Sequence, residues 1–314
     1  MNNLRIIFMG TPDFAVASLK TLIQEKYSII GVITAPDKLA GRGRKLRQSA
    51  VKEFAMQQNL NILQPTNLKD NDFLEELKAL QADLQIVVAF RMLPKEVWAS
   101  PKLGTFNLHA SLLPDYRGAA PINWAIINGE STTGVTTFFI NEKIDTGSIL
   151  MQREIKISQT ASAGDLHDTL MMIGSELIID TIKYIQTDGY KLRKQPQVET
   201  KPAPKLNKEN CKIDWNDSIN NIYNKIRGLS PYPCAWAVLQ NNEQSVEVKI
   251  YKTKQIEENH SYQVGKILFD KKEIKIAVRN GFINILELKI AGKRKMDAKS
   301  LLNGFTFEDR AKMQ

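Results

Sequence analysis

Thr105-Phe-Asn-Leu-His-Ala-Ser-Leu-Leu-Pro-Asp-Tyr-Arg-Gly118 changes character halfway along. Its first five residues read as a strand, which puts Asn107 and His109, two positions apart, on one face. From Ala110 onward Pro114 and Gly118 break the run into a turn-rich loop. A strand that ends in such a loop suits an open α/β sheet, whose ligands sit outside the carboxyl ends of the strands.

The residues on either side extend that reading. Leu4 to Gly10 is a short apolar run closed by glycine, as a buried parallel strand would be. Phe14 to Gln24 has helical apolar spacing at Phe14, Val16, Leu19, Leu22 and Ile23. Ser28 to Ile33 is a second strand, and Ala35 to Gln48, basic and broken by glycine, reads as a loop. Helix, short strand and helix follow at Ser49–Gln58, Asn61–Leu63 and Asp70–Leu80, and Leu84 to Ala89 is a continuous apolar strand. Beyond the quoted stretch, strands are expected at Gly134–Ile140 and Ser148–Ile157, and a long helix at Ala163–Ile185. The alternation predicts an α/β fold with a doubly wound, mainly parallel sheet.

The texture then changes. Lys191 to Lys208 is rich in Lys, Pro and Gln and reads as a linker. A helix over Asn216–Arg227 and short strands at Ala235–Leu239, Val246–Lys252, Tyr262–Phe269, Glu273–Val278 and Gly281–Lys289 predict a small OB-like β-barrel. The expected division is a catalytic domain over 1–190, a linker over 191–206 and a basic C-terminal domain over 207–314.

Composition narrows the classes. A hydrophobic content of 43% with 25% charged residues is that of a globular protein. No apolar run approaches the roughly 18 residues of a membrane span, and Met1 to Gly10 reads as a first strand, not a signal peptide. Cys211 and Cys234 form no CxxC pair, which argues against a disulfide framework or zinc site and fits a reducing cytoplasm. The net charge is +9, and residues 201–314 hold 21 Lys/Arg against 13 Asp/Glu, so nearly all the excess lies there. Two readings stay open: a polyanion-binding module, or a lysine-rich solubilising surface.

Chemistry concentrates in two loops. Asp145, in Asp145-Thr-Gly147, falls in a second loop beyond His109. An amide donor, an imidazole and a carboxylate on neighbouring loops suit transfer of a one-carbon acyl group. The amide holds a developing oxyanion, the imidazole handles charge or a proton, and the carboxylate tunes the imidazole. Asn-x-His alone reads equally well as a satisfied buried pair, and the surrounding turn and Asp145 raise it. His167, mid-helix, and His260, in a polar turn, read as structural or exposed. Gly10-Thr-Pro-Asp-Phe-Ala15 is not a dinucleotide fingerprint, since the later glycines are missing, and Asp13 is placed as a helix N-cap. Lys38 to Arg47 holds five basic residues in ten positions, with Gly41 and Gly43 flanking Arg42. That pattern suits phosphate or base contact, or a solvated loop.

RIIFMGTPDFA (5–15), PDKLAGRGRKL (36–46), ADLQIVVAF (82–90), LGTFNLHASLLPDYRGAAPINWAI (103–126), TGVTTFFINEKIDTGSIL (133–150), KLNKENCKIDW (205–215) and KIAGKRKMDAKSLLNG (289–304) cover much of the chain. Through them it resembles the methionyl-tRNA formyltransferases over nearly its full length. The resemblance implies a Rossmann-like formyltransferase domain, 10-formyltetrahydrofolate as co-substrate, methionyl initiator tRNA as partner, and no metal. It places the catalytic trio on Asn107, His109 and Asp145, and the folate contacts on Ser111, Leu112, Leu113 and Pro114. It places a tRNA-contacting loop on Arg42 and its neighbours Arg44 and Lys45, and the basic charge of the C-terminal domain adds Lys293, Arg294 and Lys295 as expected phosphate contacts. A cytoplasmic monomer with no membrane association is expected. Many relatives have a Tyr-Gly-containing stretch where this chain has Ala89-Phe-Arg-Met92, which bears on the pterin pocket wall and not on the reaction. Rival readings are a formyltransferase acting on glycinamide ribonucleotide or a nucleotide sugar, and a non-catalytic RNA-binding protein on the same scaffold. A nicotinamide oxidoreductase lacks its glycine fingerprint.

Overall fold

The computed structural model describes residues 4–40, 45–196 and 201–314. They form two compact units that interleave along the chain. The first takes Met1–Gly118, Thr133–Ile155 and His167–Pro202, and the second Ala119–Thr132, Lys156–Leu166 and Ala203–Gln314.

The first unit is built on a seven-stranded sheet. In spatial order its strands are Ile149–Lys156, Thr132–Phe139, Thr105–His109, Leu84–Val88, Arg5–Gly10, Ser28–Ile33 and Ile62–Leu63. From Thr105–His109 to Ile62–Leu63 every pairing is parallel, and Thr132–Phe139 runs antiparallel to Thr105–His109. Leu84–Val88 is buried at all five positions, and Arg5–Gly10 at every residue after Arg5, as a strand covered on both faces must be. On one face Ile7, Met9, Ile33 and Val87 pack with Phe73, Leu77 and Val97. Each such side chain contributes about 1.5–3 kcal/mol by leaving water. Helix Ala163–Ile185 has the expected bounds. Its Gly174 leaves no room for a Cβ beside Leu108, so the helix lies on the face of Thr105–His109 opposite Asn107 and His109.

Three local expectations change. Asp13 is the first helical residue and Pro12 holds the N-cap position, without a side-chain cap. Proline fits there because it needs no backbone donor, and Asp13 adds its charge to the first turn. Ser49 and Asp70 cap their helices by accepting from Lys52 and Phe73, so those helices begin one residue later than expected. The basic stretch at 35–48 is not a plain loop: Lys38–Ala40 and Lys45–Arg47 pair as a two-stranded hairpin. Its residues 41–44, including Arg42 and Arg44, lie outside the described residues.

The second unit is an antiparallel, nearly closed barrel. The strands run Ile267–Phe269, Ile274–Val278, Gly281–Ile290, Gln244–Glu257, Ala235–Asn241 and Lys312–Met313, with Met296–Asp297 attached to Gly281–Ile290. Lys312–Met313 pairs with Leu239 and Gln240 on one side. On the other, Met313 N–H donates to Gly265 C=O at 2.8 Å, and Ile267 N–H to Ala311 C=O at 3.4 Å. Gly265 sits at φ +85°, and a Cβ there would lie 2.4 Å from the Met313 carbonyl oxygen, so only glycine suits the seam. That turn is why the run expected over Tyr262–Phe269 becomes strand only at Ile267. Helix Ile219–Leu229, capped by Ser218, lays Ile222, Ile226 and Leu229 into the barrel core. Among the described residues no helix is long and apolar enough to cross a membrane.

Candidate active site

Strand Thr105–His109 ends between two loops, and its outward face carries Asn107 and His109. Asn107 is half-buried, and among the described residues no protein group bonds its carboxamide. His109 is 6% exposed. Its Nε2 lies 2.8 Å from the Tyr116 carbonyl oxygen, which can only accept, so the proton sits on Nε2. Nδ1 is the free nitrogen, 3.8 Å from Asp145 Oδ2. That is within charge range and beyond hydrogen-bond length.

Asp145 is held from several directions. Its Oδ2 accepts from Gly118 N–H at 2.9 Å, and its backbone oxygen accepts from Arg117 Nε at 3.1 Å. The residue sits at φ +53°, a conformation that short polar side chains tolerate better than most. Among the described residues nothing bonds Oδ1. The structure therefore brings Asn107, His109 and Asp145 to one end of the sheet, with a free amide, a free ring nitrogen and a free carboxylate oxygen.

The loop Ser111–Pro114 adjoins them, but two of its side chains are committed inward. Ser111 Oγ donates to the Asp115 carbonyl at 2.6 Å. Leu113 is buried with Phe138 and Ile149. Its N–H donates to Thr136 Oγ1 and its carbonyl accepts from Gln152 Nε2. Leu112 packs against Gly134, and the Leu113–Pro114 peptide is cis. In the Ala89–Met92 stretch, Ala89 takes φ +48° and Met92 is 67% exposed. Arg91 donates to the Pro65 and Thr66 carbonyls, tying this loop to the chain beyond Ile62–Leu63, and partial burial lowers its guanidinium below its usual range.

The sequence gives no signal for Gln195, which lies in the stretch read as linker. Its amide contacts the Asp145 loop, and Arg193 pairs with Ile149 just before it. Of the expected tRNA contacts, Lys45 is described only by its backbone. Lys293, Arg294 and Lys295 are all exposed in the turn after Gly281–Ile290. Lys295 pairs with Glu287 at 2.6 Å and Lys293 lies over the Phe305 ring, whereas among the described residues Arg294 has no partner. His167 stacks edge-on against Phe14, and His260 Nε2 donates to the Gly281 carbonyl. Burial pushes the Cys234 thiol up to about 12, which removes it as a nucleophile. Among the described residues no group of three His, Cys, Asp or Glu side chains is placed to hold a metal.

Known proteins resemble this chain in sequence and in fold. Residues 4–182 match the formyl transferase family and residues 205–306 the formyl transferase C-terminal domain. A Helicobacter canadensis N-formyltransferase, solved with folinic acid and dTDP-3-aminofucose, has a TM-score of 0.68 at 23% identity, covering 93% of this chain and 100% of that one. HypX from Aquifex aeolicus, solved with tetrahydrofolic acid, has a TM-score of 0.66 at 19% identity, covering 98% of this chain and 49% of that one. At those identities the likeness concerns the fold. Sequence relatives carry more. The methionyl-tRNA formyltransferase of Flavobacterium johnsoniae is 60% identical over the whole of both chains. That of Bacteroides thetaiotaomicron is 50% identical over 99% of this chain and 98% of its own. With identity of that order running through both units, the chain belongs to the methionyl-tRNA formyltransferase family.

Proposed function

We propose that the chain transfers the formyl group of 10-formyltetrahydrofolate to the α-amino group of methionyl initiator tRNA, giving N-formylmethionyl-tRNA for translation initiation. The observation that carries the mechanism is the half-buried, uncommitted Asn107 amide two residues from His109, beside Asp145. An α-amino group titrates near about 7.7–8.0, so a fair fraction is neutral and nucleophilic at physiological pH. Its nitrogen bonds the formyl carbon, and the carbonyl oxygen becomes an oxyanion. Asn107 Nδ2–H donates to that oxygen. His109 adds Nδ1–H when the ring is cationic, with Asp145 as counter-charge and Nε2 held by the Tyr116 carbonyl. Asp145 Oδ1 takes the proton from the new ammonium, directly or through water, and returns it to N10 as the N10–carbon bond breaks.

Ser111, Leu112, Leu113 and Pro114 line the folate side. With Ser111 and Leu113 turned inward, that contact is largely through backbone groups and Leu112. Catalysis belongs to 1–190 and tRNA grip to 207–314, joined by 191–206. The basic excess of 201–314 and the exposed Lys293–Lys295 turn support that division. Arg42, Arg44 and Lys45 contact the acceptor end of the tRNA. The enzyme works as a cytoplasmic monomer without a metal. Formyl transfer from 10-formyltetrahydrofolate to charged initiator and elongator tRNA, measured side by side, tests the reading. Fast, selective initiator formylation is expected, and no transfer to either tRNA overturns it.

A further inference from the structure

We propose that Gln195 is a positioning residue for the reaction, holding the Asp145 loop in its working conformation; this rests on the reading of Asp145 as catalytic. Gln195 Nε2 donates to the Asp145 carbonyl at 2.9 Å and to the Gly147 carbonyl at 2.8 Å. Its Oε1 accepts from Arg117 Nε at 3.2 Å and from Arg117 Nη2 at 2.6 Å. A carboxamide has two donor hydrogens and two acceptor lone pairs, and all four are used here on two elements of the site. Arg117 Nε also reaches the Asp145 carbonyl, so Asp145, Arg117 and Gln195 close a ring of bonds around one backbone oxygen.

The loop needs such a hold. Asp145 sits at φ +53°, a left-handed conformation that aspartate tolerates better than most residues but at some cost, and among the described residues its side chain has one backbone tether, Gly118 N–H. Gln195 reaches it because Arg193 makes a two-bond bridge to Ile149, Ile149 N–H donating at 2.8 Å and Arg193 N–H at 3.0 Å. Glutamate in its place keeps the Arg117 contact but sets an acceptor against two carbonyls. The segment between transferase sheet and barrel thus supplies part of the catalytic geometry. Drawing it away misplaces the carboxylate while leaving Asn107 and His109 untouched.

The test uses the full chain in steady-state formyl transfer, with kcat and KM for both substrates and thermal unfolding on each variant. Gln195→Met keeps the shape and removes all four bonds, and Gln195→Glu removes only the two donations. Both should lower kcat by about 10- to 10²-fold, the order of loss expected for a misplaced reacting group. KM for 10-formyltetrahydrofolate and the melting temperature should stay near wild type. In an Asp145→Asn background Gln195→Met should cost little more, since a residue acting through Asp145 cannot act twice. Wild-type kcat in Gln195→Met, or losses that multiply in the double variant, overturn the inference. If Gln195→Met unfolds, Gln195→Glu carries the same comparison. An active Asp145→Asn instead overturns the catalytic reading of Asp145, so the two failures are distinct.

Discussion

Asn107 is a half-buried polar side chain with no protein partner among the described residues, so its amide is open to water or a ligand. Asn107→Ala should lower turnover by about 10²-fold or more while 10-formyltetrahydrofolate binding stays near wild type, because the lost bond is strongest to the oxyanion. Equilibrium folate binding and single-turnover rates separate the two effects, and near-normal turnover removes Asn107 from the reaction. Asn107 and His109 were legible because a two-residue spacing in a strand fixes one face. What holds His109 and Asp145 in place was not: the Tyr116 carbonyl on His109 and the Gly118 N–H on Asp145 are backbone groups, which no side-chain pattern announces. Gln195 was hidden by the Lys/Pro/Gln composition around it. Among the basic residues, Arg294, with no partner among the described residues, and the Glu287-paired Lys295 should also differ. Arg294→Ala should weaken tRNA binding and flatten its salt slope by about one unit. Lys295→Ala should do less. Equal effects in a salt titration would show that the Glu287 pair does not compete with phosphate.

At the scale of elements, periodicity placed the strands of the first unit's sheet and the long helix to within a residue or two, since burial on one or both faces leaves a pattern. It failed where pairing is short. The 38–47 hairpin has three residues in each strand, and its composition spoke only of charge. Its base is anchored by Asp37, which accepts from Lys52 Nζ at 2.6 Å and from Gln64 Nε2 at 2.9 Å. Those bonds, Gln64 foremost, hold the Asp37 carboxyl below the usual carboxylate range. A lowered carboxyl contributes stability that is complete above its unfolded value, about 3.9, and is lost as pH falls through the folded one. Asp37→Asn should therefore lower the melting temperature at neutral pH, and the gap to wild type should close below about pH 4. A gap that persists in acid would assign the loss to packing. The 141–147 loop offers a steric counterpart. A Cβ on Gly147 would lie 1.6 Å from the Phe139 carbonyl oxygen, and a backbone atom cannot step aside alone. Gly147→Ala should shift the Asp145 loop and lower formyl transfer by about 10²-fold, with tRNA binding retained in a filter assay.

For the whole molecule, charge was readable and chain routing was not. On the proposed reading, the basic excess of residues 201–314 should make tRNA affinity salt-dependent. It should fall by about 10³-fold or more between about 50 mM and 200 mM salt, if six or more phosphates are engaged. A flat response would place recognition outside these charges. The full chain is needed for that measurement. The second unit recruits Ala119–Thr132 and Lys156–Leu166, and Ile127 packs against its core. A cut near residue 205 would strip those stretches of their partners. No composition shift marks such interleaving, because the borrowed segments look like ordinary transferase sequence.

The seam at Lys312–Met313 has a consequence for synthesis. A barrel has no free edge, but this one lacks its last stave until residues 311–314 have been made. Before then Leu239–Gln240 and Gly265–Ile267 each present unpaired backbone groups, beside the apolar side chains that will form the core. Such rows are templates for pairing between chains, so nascent or clipped molecules carry an aggregation hazard that the finished fold conceals.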